Sequence, residues 1–151
     1  MNFIIILILL FPIAPFSSAP VVRCVEQTPA GAFHQAKVVF VGKVIAVDDL
    51  GLPPAGARDV VFDLVRPVKV RFVVEQVYRG QKTDEIEIAT RTGGREWGYD
   101  FEVGEKYLVY AQQNETNDSE FFVEACGRAR SFSDAREDLT YLEAQRDEEK
   151  P

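Results

Sequence analysis

Short segments rich in β-branched residues, separated by turn residues, run from Val38 to Ala125 and most constrain how this chain can fold. Residues 38–47 (VVFVGKVIAV) are apolar at successive positions, which predicts a strand covered on both faces. Gly42 in the middle of this run predicts a bulge or a bend. Residues 68–78 and 85–88 alternate apolar and polar side chains, a pattern typical of half-buried strands.

Further strands are predicted at residues 60–65, 106–111 and 120–125. Between the strands, residues 48–59, 79–81 and 93–98 carry Gly and Pro or Gly alone, and residues 112–119 (QQNETNDS) predict a polar hairpin loop. Arg66-Pro67 predicts a break between two strands. Five or six short strands with these turns favour a small closed or partly open barrel.

A helix is predicted on each side of the strands. Thr28 followed by Pro29 predicts a short N-terminal helix, with Thr28 as its cap. From Ser131 onward the apolar period lengthens, and Ala135, Leu139 and Leu142 recur on one helical face. Ser131 to Asp134 has the spacing of a capping box, so the amphipathic C-terminal helix is expected to begin there and to pack on the barrel.

The head of the chain has no charged side chain before Arg23. Residues 3–16 are a dense apolar run, and Ser17-Ser18-Ala19 offers small residues for cleavage, which predicts a signal peptide over residues 1–19. A folded domain over residues 20–144 and a polar tail over residues 145–151 follow. The expected location is secreted or periplasmic. The alternative is a membrane tether through an uncleaved head, although that run is shorter than the ~20 apolar residues of a bilayer span.

Cys24 and Cys126 are the two cysteines of the chain. Disulfides persist in an exported protein, so a bridge between these residues is the favoured interpretation. Two free thiols, or a bridge to another molecule, are the alternatives. The intramolecular bridge would close a loop of about 100 residues, worth on the order of 4–5 kcal/mol in the chain-entropy model.

Composition and motifs exclude several functions. The net charge of −7 argues against a nucleic-acid partner, because phosphate binding needs a basic surface. His34 is the only histidine and has no ligand at metal-site spacing. Glu85 and Glu87 fall on one outer strand face, and the acids of residues 134–150 predict a solvated helix face. Nucleophile and zinc-protease motifs are absent from the sequence. We therefore expect no enzymatic activity, catalytic residue, metal or cofactor.

Several segments together resemble a known family. They are VVFVGKV (residues 38–44), EQVYRG (75–80), GYDFEVGEKYLVYA (98–111), CGRAR (126–130) and SDAREDL (133–139). In this order they resemble the bacterial secreted proteins related to tissue inhibitors of metalloproteinases (TIMPs), within the netrin-like superfamily. The resemblance covers nearly the whole chain after residue 19. It implies a five- to six-stranded OB-fold-like closed barrel, a mainly β fold with flanking helices. The motif residues that carry it include Gly42, Trp97, Gly98, Tyr99, Phe101 and Gly104.

The resemblance also bears on mechanism. In the inhibitors, a Cys-x-Cys pair opens the mature chain, and the amine and carbonyl of the first Cys bind the zinc of the target protease. That first Cys is bridged to a middle Cys, which in the related bacterial proteins would directly precede Gly98, where this chain has Trp97. If Cys24 is the second Cys and is bonded to Cys126, the first falls at Val22. The resemblance therefore implies that one disulfide has been lost, with Trp97 packing in its space.

Three functional hypotheses remain. The first is a secreted, non-enzymatic TIMP-like module whose zinc-binding N-terminus is degenerate, and which binds an extracellular protein partner through an N-terminal edge. That edge comprises Pro20, Val21, Val22, Arg23 and Cys24. The second is a metalloproteinase inhibitor acting through the same N-terminal segment. The third is an extracellular glycan-binding OB barrel. No nucleic acid and no stable membrane span after signal removal is expected in any of the three.

Overall fold

The computed structural model describes residues 23–51 and 65–148. Within these ranges the chain is mainly β, with six strands in one mixed sheet and an α-helix at each end. The elements are α1 (Pro29–Gln35), β1 (Val38–Asp49), β2 (Pro67–Arg79), β3 (Glu85–Arg91), β4 (Lys106–Asn114), β5 (Asn117–Phe122), β6 (Arg130–Ser131) and α2 (Arg136–Glu148). The β-rich architecture with terminal helices is confirmed. The predicted signal peptide lies outside the described residues, as does the predicted strand over residues 60–65 apart from Val65.

Five of the strands form a ring of pairings in the order β1-β2-β3-β5-β4, and β4 returns to pair with β1. The neighbours are antiparallel except β3 and β5, which are parallel. Strand β6 pairs with β4 outside this ring. The ring brings the two ends of the strand region together, so residues far apart in sequence meet at its surface.

Strand β1 is buried on both faces, as its continuous apolar run predicts. Phe40 and Val44 point to the core inside the ring, whereas Val39 and Val41 pack under the helices. The register of β1 against β2 shifts beside Gly42, where a Cβ atom would lie 2.9 Å from the Val73 carbonyl oxygen. Gly42 therefore allows β1 to bend close to β2, and the predicted irregularity is confirmed.

An aromatic chain fills the interior of the ring. The ring centroids of Phe40 and Phe72 lie 5.3 Å apart, and those of Phe72 and Phe101 lie 5.2 Å apart. Phe101 also contacts Tyr99 and Tyr107, at 4.6 and 4.9 Å. These edge-to-face and tilted pairs stabilise the fold by more than the burial of their apolar surface alone. Phe101 and Tyr99, two of the residues that carry the resemblance, therefore lie in the core and against it. A third, Gly104, lies in a turn and has a φ of +92°.

The helices cover the other face of β1 and β4. Thr28 caps α1 as predicted, since its hydroxyl accepts from Gly31 N at 3.1 Å. Helix α2 buries Ala135 at its start and Leu142 within it against Leu108 of β4. Neither of these helices, within residues 23–51 and 65–148, has the length and apolar character needed to cross a membrane.

Several predicted boundaries differ from the structure. The strand predicted over residues 120–125 ends at Phe122. Residues 112–114 and 117–119 are strand, so the polar loop shrinks to a tight turn at Glu115-Thr116. Strand β2 begins at Pro67, one residue before the predicted start, because the first residue of a strand tolerates proline. The capping box is wrong: a 3₁₀ turn occupies Phe132–Asp134, and the Ser131 hydroxyl donates to the Asp134 carboxylate at 2.7 Å. Helix α2 also continues past residue 144 to Glu148.

Candidate functional site

The chain before α1 is fastened to the end of the strand region by a disulfide. Cys24 and Cys126 are bonded, with their Cα atoms 5.1 Å apart and a sequence separation of 102. The favoured pairing is therefore confirmed, and the described residues contain no free cysteine. The bridge fits an extracytoplasmic compartment, where such bonds persist. It fixes residues 23–28, the segment before α1, to the residues that follow β5.

Two arginines that follow Cys126 hold the same segment by charge and hydrogen bonding. Arg128 Nη1 donates to the Gln27 carbonyl oxygen, and Arg130 Nη2 donates to the Glu26 carboxylate. The bond from Arg130 holds the pKa of the Glu26 carboxyl below its usual range. Residues 24, 26 and 27 are thus each tied to residues 126–130. The segment is pre-organised before any partner arrives.

A buried polar cluster fixes the position of the Arg128 side chain that makes one of these contacts. Arg128 Nε lies 2.6 Å from Asp138 Oδ1, and Arg128 Nη2 donates to Asp138 Oδ2 at 3.1 Å. The Tyr110 hydroxyl donates to the same carboxylate at 2.8 Å. The Arg128 and Asp138 side chains are 3% and 1% exposed. A buried ion pair of this kind is stable only when its remaining polar atoms are satisfied, and here they are.

Burial and charge tune the groups of this cluster. Burial raises the pKa of Tyr110, and the hydrogen bond to Asp138 and the negative charge of that residue raise it further. For Arg128, burial opposes the cation, but the hydrogen bonds and charge of Asp138 and Glu137 outweigh it and raise its pKa. Arg128 therefore stays charged, and the Tyr110 hydroxyl stays a hydrogen-bond donor, at ordinary pH.

The loop of residues 93–98 lies against the disulfide. Cys126 N donates to the Arg95 carbonyl oxygen at 2.6 Å, and Cys24 Sγ lies 3.7 Å from that same oxygen. Asp100 closes the loop by accepting from Gly93 N and Gly94 N at 3.1 and 3.0 Å. The loop and the N-terminal segment therefore meet at one disulfide.

We call residues 23–28 and 93–98 together the disulfide ridge. Its apolar side chains are turned outward: Val25 is 85% exposed and Trp97 is 41% exposed. Much of the Trp97 indole thus faces solvent. Gly98 follows directly and is buried. A side chain has no room at this position, because a Cβ atom would lie 2.7 Å from Arg91 N. A rigid backbone carrying exposed apolar side chains is a property of binding surfaces.

The structure brings together some of the predicted residues and not others. Arg23 and Cys24 of the expected N-terminal edge lie on the disulfide ridge, whereas Pro20, Val21 and Val22 lie outside the described residues. His34 is exposed on α1. Across the residues that the structure describes, no group of three His, Cys, Asp or Glu side chains could hold a metal ion. Glu85 and Glu87 lie on the exposed face of β3, as expected.

The sequence interpretation missed the buried Arg128–Asp138 pair. Asp138 was expected on a solvated face of α2, and this expectation is wrong because its carboxylate is completely buried. A signal was present: Asp138 stands three residues after Ala135 and four before Leu142, on the apolar stripe of the helix. An acid on such a stripe requires a buried cation, and Arg128 supplies it.

No family model and no curated protein matches this chain. The disulfide ridge and the ring of strands are therefore the observations on which a function can be based. The ridge offers no nucleophile paired with a base and no metal ligand set among its residues. It does offer a fixed backbone with apolar side chains at its surface, which suits recognition of another protein.

Proposed function

We propose that this chain is an exported, non-enzymatic, TIMP-like module that binds an extracytoplasmic protein partner through the disulfide ridge. One observation carries the proposal: Cys24, Glu26 and Gln27 are all anchored to residues 126–130, yet Val25 between them is 85% exposed. These three contacts fix the segment of residues 23–28, but they do not require the apolar side chain of Val25 to be exposed to water. A surface held for a partner explains the combination.

The ring of strands supports an OB-fold-like barrel as the scaffold of this module. Strand β1 pairs with both β2 and β4, which closes the ring, and one core lies inside it. The OB fold is a five-stranded Greek-key barrel that hosts many recognition functions on its loops. The resemblance to TIMP-like proteins and the export signal remain part of this proposal.

A rigid disulfide ridge should bind its partner with higher affinity than a flexible one. Ordering a side chain at an interface costs about 0.5–1.5 kcal/mol, and ordering a backbone segment costs more. The disulfide and the Arg128 and Arg130 contacts remove that cost before binding. An exposed aromatic such as Trp97 is the residue type most often found to dominate interface energies.

Site-specific photo-crosslinking in the source cells tests the proposal. Val25 is replaced by the photoreactive residue benzoylphenylalanine, and so, in a matched control, is Ile45, which is 40% exposed on β1. Irradiation is expected to join the Val25 variant to one protein and to leave the Ile45 variant free. Equal adducts at both positions, or adducts at neither, would rule out a partner-binding ridge.

A zinc metalloproteinase is the first partner class to examine, since the resemblance points to it. The mature N-terminus is first determined by mass spectrometry, and the processed protein is then assayed against a panel of zinc metalloproteinases. Binding without inhibition is the expected result, because Val22 stands where the zinc-binding Cys of the inhibitors would be. Inhibition by the processed chain would instead favour the inhibitor hypothesis. Binding on a glycan array would favour the carbohydrate hypothesis.

A further inference from the structure

The ring of strands has one weak seam. Strands β3 and β5 are paired at only two positions, Ile88 with Phe121 and Ala89 with Phe122. By contrast, β3 and β2 are paired at seven positions, from Glu85 to Arg91. Over residues 85–87, β3 is therefore paired on its β2 side alone. The two parallel strands separate before their pairing begins.

Strand β5, on the other side of the seam, has a fixed bulge that keeps its start away from β3. The register of β4 against β5 jumps from Gln113–Phe121 to Asn114–Asn117, so residues 118–120 bulge out of the β4 pairing. The bulge is fixed because Gln113 Nε2 donates to the Asp118 carbonyl oxygen at 2.6 Å and Asn114 Nδ2 donates to Glu120 Oε2 at 2.7 Å. Both strand edges are thus in place before any ligand binds.

A groove of about 720 Å³ lies between these edges. The half-buried side chains of Ile86 and Phe121 contribute apolar surface to it, and both pack on the core of the ring. Glu85 and Asp118 line it from the two separated strands. A free strand edge presents a row of backbone N–H and C=O groups that another extended chain can pair with.

We propose that this groove binds an extended, basic peptide segment of a partner protein by strand addition. The peptide backbone would pair with the free edge of β3 over residues 85–87. Its alternate side chains would point towards Ile86 and Phe121 and would therefore be apolar. This surface is separate from the disulfide ridge, because the groove is at the start of β3 and loop 93–98 follows the end of that strand.

Charge favours a basic occupant. Glu85 and Asp118 are exposed, and neither forms an ion pair within the described part of the chain, whereas Glu87 is paired with Lys69 Nζ at 2.8 Å. A chain with a net charge of −7 also attracts cationic partners from a distance. Lys37 and Lys82 line the groove beside the loop of residues 80–84. They would repel a basic residue there and direct it towards Glu85 and Asp118.

Peptide selection on the full chain tests this proposal. A phage-displayed library of random nine-residue peptides is selected on the protein, and binders are depleted on the double variant Glu85→Lys/Asp118→Lys. Both changed side chains are exposed, and circular dichroism checks that the variant folds. We expect enriched peptides with Lys or Arg alternating with apolar residues. Measured by fluorescence anisotropy at low salt, their Kd should rise at least tenfold in the double variant.

A matched control and a mapping experiment separate strand addition from attraction between opposite charges. The variant Glu105→Lys/Glu148→Lys makes the same charge change outside the groove and should bind as the wild type does. Hydrogen exchange should slow at residues 85–87 and 118–120 when peptide is bound, and N-methylation of alternate peptide amides should abolish binding. No enriched peptide, equal loss of binding in both double variants, protection elsewhere, or undiminished binding of the N-methylated peptide would each overturn the proposal.

Discussion

Arg128 and Asp138 form an ion pair in which both side chains are buried, with Arg128 Nε 2.6 Å from Asp138 Oδ1. The pair joins the segment that follows Cys126 to helix α2. The same guanidinium donates to the Gln27 carbonyl oxygen, so it also reaches the N-terminal segment. One side chain therefore connects three parts of the chain that are distant in sequence. The position of the disulfide ridge depends on this arginine as well as on the disulfide.

Replacing Asp138 with Asn should destabilise the protein strongly. The change preserves the size of the side chain but removes the buried counter-ion of Arg128. Only the exposed carboxylates of Glu137 and Glu26 then remain near this cation, and the loss of the buried partner costs about 3–5 kcal/mol. Urea unfolding should show this loss. The control is Glu137→Gln, which removes the 76%-exposed partner of the same arginine and should cost less than about 1 kcal/mol. Similar losses in the two variants would mean that burial does not decide the strength of these contacts.

Removing the disulfide should lower the unfolding free energy by about 2–5 kcal/mol. The double variant Cys24→Ser/Cys126→Ser closes no loop in the unfolded chain, so that chain gains conformational freedom. In the folded variant, the Arg130–Glu26 pair becomes a main anchor of the segment, and salt should weaken it because Glu26 is exposed. NMR order parameters of the Val25 amide should fall with added salt in the variant and not in the wild type. Salt-independent order parameters in the variant would contradict this prediction.

Alkaline pH should destabilise the fold through Tyr78. Burial, and next the hydrogen bond from its hydroxyl to Glu143 Oε1 at 2.9 Å, raise the pKa of Tyr78 to about 12. Since this folded pKa lies above the ordinary value of 10.0, the folded state keeps a proton that the unfolded state loses. Its contribution is complete below pH 10.0 and disappears as the pH rises towards about 12.

The measurement is urea unfolding at pH values from 9 to 11. Wild-type stability should fall with pH above 10.0, and the Tyr78→Phe variant should show a shallower decline because it has no proton to lose at this position. The raised pKa of Tyr110 acts in the same direction and remains in both proteins. Parallel pH profiles for wild type and variant would refute a role for Tyr78.

Two glycine-to-alanine changes should differ in their effect. In Gly98→Ala the new methyl group would lie 2.6 Å from Thr90 Oγ1 and 2.7 Å from Arg91 N, so the backbone must move, at a cost of about 3 kcal/mol or more. In Gly104→Ala no heavy atom lies within 4 Å, and only the strain of a φ near +92° remains, about 1–2 kcal/mol. Urea unfolding measures both. A smaller loss of stability for Gly98→Ala than for Gly104→Ala would show that loop 93–98 can move to accommodate the methyl group.

The strands were largely predictable because their two periodicities reflect what each face contacts. Continuous apolar residues in β1 and alternation in β2 follow from burial on two faces and on one. The β4–β5 hairpin was predicted, but with a loop that is too long, for the same physical reason. Gln112, Asn117 and Ser119 belong to the hairpin, which has little core beneath it, so its strands are polar like a loop.

The candidate site was predictable only in part. Two cysteines in one chain leave a single internal pairing, so the Cys24–Cys126 bridge could be anticipated from a count. The Arg128–Asp138 pair could not be anticipated in this way, because which buried acid meets which cation depends on how α2 packs against β4. The seam between β3 and β5 was equally hidden, since it depends on pairing across strands and not on any local pattern.

The bridge between Cys24 and Cys126 also sets an order of events during biosynthesis. Cys24 is synthesised first, and its partner follows 102 residues later. At about 5–20 residues per second, several seconds or more pass before the second thiol is synthesised. Strand β1 must likewise wait for β4. The nascent chain therefore carries an unpaired thiol and an unpaired apolar strand until these partners are made, and an oxidant or chaperone that acts early would find both exposed.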